Sequence, residues 1–131
     1  MGSLVGVSAL RIEIFWWAGC PSTDAARDLV VDALACLGLC DDVAGIAIVE
    51  VATDEQALEL GFRGSPTIRI DGADVVELVG GVDPGADDPA ALTCRLYVRR
   101  DGRISPTPDP ADVHEAISIA AQAHQLTKEA A

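Results

Sequence analysis

Basic residues are scarce in this chain: nine Lys and Arg stand against 21 Asp and Glu, a formal net charge of -12 over 131 residues. That balance excludes electrostatic attraction to nucleic acid or to an anionic membrane as the basis of function. Long apolar runs are also missing, none approaching the ~20 residues of a membrane-spanning helix. The opening Met-Gly-Ser-Leu-Val-Gly-Val-Ser-Ala-Leu has neither the basic start nor the sustained apolar run of a secretory signal. A cytoplasmic protein is expected. His114 and His124 have no cysteine or carboxylate at ligand spacing, and Asp83, Asp87 and Asp88 lack the spacing of a calcium loop, so neither a metal site nor a cofactor is implied. The three aspartates read as a solvated acidic loop. No internal repeat is visible.

What is present is half hydrophobic, enough for one domain to bury its own core without metals or disulfides. The four cysteines, Cys20, Cys36, Cys40 and Cys94, then suggest reduced thiols and chemistry rather than stapling.

Residues 11–17 alternate around Ile12, Ile14 and Trp16 and predict a buried strand. A helix follows, with Pro21 at its first position and an apolar stripe of Ala25, Ala26, Leu29, Val30, Ala33, Leu34 and Leu37 that ends at Gly38. The apolar run 45–52 predicts a central strand covered on both faces, completing a right-handed βαβ unit. Thr53 and Gln56 form a capping-box pattern for a short helix over 54–60. Thr67–Ile70, the Asp71-Gly72 turn and residues 73–79 read as a hairpin, and 94–98 resume strand character. The last sheet strand can come from either segment. Asp109 and Pro110 predict the cap and first residue of a final helix with Val113, Ala116, Ile117 and Ala120 on one face. The fold class is therefore α/β: a single domain with its core at about 10–123, a mixed sheet flanked by helices in the order β-α-β-α-β-β-α, and flexible ends at 1–9 and 125–131.

A strand leading into Trp16-Trp17-Ala-Gly19-Cys20-Pro21, a second βα unit, and Gly64-Ser65-Pro66-Thr67 entering a strand together resemble the thioredoxin fold. Adding Cys94-Arg95-Leu96-Tyr97, the set is similar to small bacterial thioredoxin-like proteins labelled alkylmercury lyase-like. The thioredoxin resemblance implies that Cys20 is a nucleophile, that Ser65-Pro66 is a cis bond, and that the Ser65 backbone lies beside Cys20 as an edge where a substrate peptide pairs as an added strand. Where the family has a second cysteine three residues on, this chain has Thr23, whose hydroxyl is then a hydrogen-bond donor to the Cys20 thiolate. The resemblance thus becomes a monothiol site, with Trp17, Pro21, Ser65 and Pro66 around the substrate.

Cys20 reads either as an activated thiol favoured by unpaired N–H groups at a helix start or as a small buried cap residue. Cys36 and Cys40 read as space-filling, with a local pair as the alternative. Cys94 is either a core residue or the thiol that resolves a Cys20 adduct. Of Trp16 and Trp17, one is expected in the core and the other on the rim near Cys20. Three functions are compatible with this sequence: monothiol thiol-disulfide exchange with a low-molecular-weight thiol or a protein disulfide as partner, capture of a soft metal or organomercurial by Cys20 and a second thiol, and a non-catalytic interaction module.

Overall fold

A computed structural model describes residues 10–20, 22–39, 45–85 and 87–130, without the side chains of 124–130. Pro21 and Cys40 lie outside the described residues, as do residues 1–9.

The molecule is built around β1 (Ile12–Trp16), which has a neighbour on each side in a four-stranded sheet of order β2-β1-β3-β4. β2 (Ala47–Glu50) runs parallel to it, pairing Ile14 with Ile48, whereas β3 (Thr67–Ile70) runs antiparallel, pairing Ile14 with Ile68. The two-residue β4 (Ala73–Asp74) closes a hairpin with β3. Period-2 alternation divides the sheet's side chains between two cores. Ile12, Ile14, Ile68 and Ile70 pack with α1 (Thr23–Cys36), α3 (Val75–Val79) and α4 (Pro110–Ala130) through Val30, Leu34, Val75, Val113 and Ile117. Phe15 points to the other face and packs with Val51, Phe62 and Ala57 of α2 (Asp54–Leu60). The mixed α/β sheet with helices on both faces follows from this division. Among the described residues, no helix is long and apolar enough to cross a membrane.

Local signals place the helices well. Thr53 and Gln56 close the reciprocal capping box, and α2 stops at Gly61, whose φ is 63°. Asp109 accepts from the Ala111 N–H at 3.0 Å, as a cap should, and from the Arg100 N–H at 3.0 Å. These backbone donors hold its carboxyl below the ordinary value of 3.8.

Several expectations need correction. The run 45–52 is not a doubly covered central strand: β2 is at the sheet edge and Ile48 is 41 % exposed. Only β1 pairs with it among the described residues. Residues 75–79 form α3 instead of extending the hairpin, because Asp74 caps the Val76 N–H at 2.9 Å and Glu77 reaches back to the Asp74 N–H at 3.2 Å. Residues 94–98 do not join the sheet as a fifth strand; β5 (Tyr97–Val98) pairs with β6 (Ile104–Ser105) in a separate hairpin. The first helix is defined from Thr23, with Ser22 as N-cap, and Ala25 of the expected stripe is exposed. The final helix continues to Ala130, beyond the expected boundary near 123. Neither tryptophan is core: both are partly buried, Trp17 against the Phe15 cluster.

Candidate functional site

The end of β1 turns sharply before α1. Cys20 donates its N–H to the Trp17 carbonyl at 3.0 Å, and the indole of Trp17 folds over Gly19 so closely that a Cβ there would stand 2.4 Å from the ring. Glycine is required for that approach. The turn leaves Cys20 in the loop ahead of the helix, 4 % exposed, with its thiol donating to the Ser65 carbonyl at 3.3 Å.

Ser65 is part of the Gly64–Thr67 loop that enters β3, and its bond to Pro66 is cis. The Ser65 backbone is fully engaged. Its N–H donates to the Thr93 carbonyl at 2.8 Å and its carbonyl accepts from the Arg95 N–H at 2.9 Å, a parallel bridge that sets Cys94 opposite Ser65. The expected free edge is therefore occupied by the chain itself. Gly64 makes this contact possible, since a Cβ on it would lie 2.7 Å from the Arg95 Cα, and its φ of +145° also favours glycine.

Arg95 anchors the segment from below. Its buried guanidinium grips the Asp74 carboxylate bidentately, with one of the two bonds at 3.0 Å, and reaches Asp83 at 3.3 Å. It also stacks 4.5 Å from the Tyr97 ring centre, and the Tyr97 hydroxyl donates to the Pro66 carbonyl. Burial disfavours the charge on Arg95, but the carboxylates outweigh it and raise its pKa, while burial raises that of Tyr97. Asp83 is thus not part of a solvated acidic loop: it bridges Arg95 and Arg63.

The consequence is a thiol pair. Cys20 and Cys94 meet across Ser65: the Cys20 thiol donates to its carbonyl and the parallel bridge sets Cys94 opposite it, one thiol buried and the other exposed. Burial opposes a Cys20 thiolate, yet the Cys94 thiol, the Ser22 N–H, the Ser22 hydroxyl and the Ser65 hydroxyl are placed to donate to that thiolate and outweigh burial, so the Cys20 pKa is lowered from its ordinary value. Cys94 titrates above 9.0 because it holds its proton for Cys20, because it is partly desolvated, and because the Cys20 charge repels a second thiolate. Ser22 makes no side-chain cap bond to α1 and instead faces the sulfur. The buried Ser65 hydroxyl makes no hydrogen bond in the thiol form and is free to donate once Cys20 ionises.

Of the expected site residues, Cys20, Cys94, Ser65 and Pro66 converge. Trp17 packs over Gly19 beside them. Thr23 does not take its expected role: its hydroxyl is buried without a partner, and Ser22 supplies the donors. Cys36 is exposed rather than space-filling, and His114 is on the surface. The residues overlooked in the sequence are Ser22, Asp74, Asp83 and the role of Arg95. The Asp74–Glu77 capping-box spacing was a usable signal for the position of Asp74.

Two cavities adjoin the anchored segment. One of about 150 Å³ lies beside Cys94, lined by Arg63, Asp83, Asp88 and Leu96. The other, about 420 Å³ and without a thiol, lies between Arg69, Glu77 and Arg95. Compared with protein-family models, with curated proteins and with solved structures, the chain finds no match in any of the three.

Replacing Arg95 with Met leaves Asp74 charged and nearly buried, so a loss of about 3–5 kcal/mol in urea unfolding is expected; a change within 1 kcal/mol of wild type, roughly the scale of an exposed ion pair, would deny the pair a structural role. The Cys94 contribution to the lowered Cys20 pKa sets the sign of a second outcome. Cys94→Ala removes a donor to the Cys20 thiolate, so the pH midpoint of Cys20 alkylation, read by peptide mass spectrometry, should move upward from its wild-type position below 9.0. An unmoved midpoint would break the link.

Proposed function

We propose that the chain is a thioredoxin-like thiol-disulfide oxidoreductase in which Cys20 attacks and Cys94 resolves. The observation that carries this reading is the placement of both thiols at Ser65, whose carbonyl accepts from Cys20 at 3.3 Å and whose backbone pairs opposite Cys94. The sheet order β2-β1-β3-β4, within an element order of β-α-β-α-β-β-α-β-β-α, supports the thioredoxin-like part of it.

The Cys20 thiolate attacks one sulfur of a disulfide, forming a mixed disulfide and expelling the other sulfur as a thiolate, which takes a proton from solvent. Capping Cys20 removes its negative charge and its demand for the Cys94 proton. Two of the three causes that hold Cys94 above 9.0 disappear with them, leaving only desolvation. Cys94 then ionises more readily, attacks the Cys20 sulfur, closes a Cys20–Cys94 disulfide and releases the remaining substrate thiol with the proton it gave up. One disulfide is reduced to two thiols and one dithiol is oxidised. Two equivalents of an external thiol of low molecular weight return the pair to its reduced state by the same exchange in reverse, the first forming a mixed disulfide and the second releasing it as their own disulfide.

The thiol pair also favours a second reading, capture of a soft cation or an organomercurial. A soft ion held there would have the Cys20 and Cys94 thiolates as its ligands.

Reduced protein exposed to an excess of a small disulfide should give an internal Cys20–Cys94 disulfide in the wild type. Cys94→Ser should stop at an adduct on Cys20, and Cys20→Ser should form neither product. Adducts confined to Cys36, or identical products from wild type and Cys94→Ser, would refute the scheme. For the second reading, mercuric ion should bind the wild type at least about tenfold more tightly than Cys94→Ser, the loss of one good thiolate contact corresponding to 1.4 kcal/mol or more. Equal stoichiometry and affinity would leave the pair no part in metal capture.

A further inference from the structure

The geometry points to low-molecular-weight disulfides, rather than polypeptide disulfides, as the substrates of Cys20. This inference rests on the reading of Cys20 and Cys94 as a redox pair. The thioredoxin resemblance implies that a polypeptide is held by adding as a strand beside the residue that precedes the loop proline, here Ser65. Both hydrogen-bonding groups of Ser65 are already used, the N–H by the Thr93 carbonyl and the carbonyl by the Arg95 N–H. The segment 93–95 therefore lies where the substrate strand would lie, and it presents Cys94 where the substrate's cysteine would be.

Displacing that segment is costly because it is anchored on three sides. Arg95 is tied to Asp74 and Asp83, its Cα is in contact range of Gly64, and Tyr97 two residues on is bonded to the Pro66 carbonyl. An incoming polypeptide would have to break the two backbone bonds and disturb a buried ion pair before gaining its own pairing. A small disulfide needs no such pairing. It requires only a path to a sulfur that is 4 % exposed, and the space next to Cys94 is about 150 Å³, below the ~300–1,000 Å³ usual for ligand pockets. Segment 93–95 thus supplies the resolving thiol and at the same time restricts the substrate by size.

The test compares the rates at which reduced wild-type protein reacts with bis(2-hydroxyethyl) disulfide and with an unstructured peptide carrying a mixed disulfide on its central cysteine. Two forfeited backbone hydrogen bonds correspond to about 30-fold, the expected handicap of the peptide after correction for each disulfide's intrinsic reactivity. Gly64→Ala, which pushes Arg95 away from Ser65, should narrow that ratio. Equal corrected rates in the wild type would overturn the size restriction and leave the redox pair intact. Failure to react with either disulfide would overturn the redox reading itself, and this inference with it. Should Gly64→Ala not fold, hydrogen exchange of the Ser65 and Arg95 amides in the wild type decides the matter: slow exchange supports an occupied edge, and exchange at the rate of an unstructured loop overturns it.

Discussion

The buried ion pair between Arg95 and Asp74 is the interaction on which the candidate site depends. Neither partner tolerates loss of the other, since a guanidinium or carboxylate withdrawn from water is stable only when its charge and hydrogen bonds are answered. The bidentate geometry answers both. Asp74 also caps α3, and the Arg95 N–H meets Ser65, so one pair couples the β3–β4 hairpin, the short helix and the long connection before β5. Cys94 has no comparable anchor of its own. It stands beside Cys20 because its neighbour in sequence is held.

That placement creates a division of labour between two identical functional groups. Cys20 is almost inaccessible, an environment that by itself would raise its pKa, and the groups placed to donate to it from Cys94, Ser22 and Ser65 lower it instead. Cys94 is exposed, an environment that by itself would leave it ordinary, and it resists ionisation because of Cys20. The asymmetry thus arises from the pair and not from either residue's solvent contact, so the two protons belong to coupled macroscopic steps. A helix dipole is a smaller part of this than the sequence suggested: Cys20 precedes the Ser22 cap, and the dipole's influence fades within a turn.

How much of this was legible in the sequence follows from the range of each interaction. β1, α1, the Thr53–Gln56 cap and the Asp109-Pro110 start of α4 are written in residues a few positions apart, and their periodicity or capping chemistry reveals them. The status of β2 is different. An apolar run indicates burial, but whether a strand has one neighbour or two is settled by the rest of the sheet. The hairpin extension failed because β-branched valines at 75, 76 and 79 outweighed, on propensity alone, a capping box that the backbone in fact uses. Arg95 and Tyr97 were read as parts of a strand when their roles lie in contacts with Asp74, Asp83 and Pro66, across gaps that no local pattern records.

The missing second thiol near Cys20 has a counterpart in the fold. A partner one helical turn away would move rigidly with Cys20, in the position where the Thr23 hydroxyl now lies buried and unpaired. Carried on segment 93–95, the partner thiol belongs instead to a connection held to Ser65 by two backbone hydrogen bonds and to the sheet by an ion pair. Closing a Cys20–Cys94 disulfide would add a covalent tie to that attachment, whereas reduction returns it to noncovalent bonds alone. If the pair acts as proposed, its redox state would be linked to the stability of the segment that covers the Ser65 edge, and because linkage is reciprocal, loosening Arg95 from Asp74 would make a Cys20–Cys94 disulfide easier to reduce.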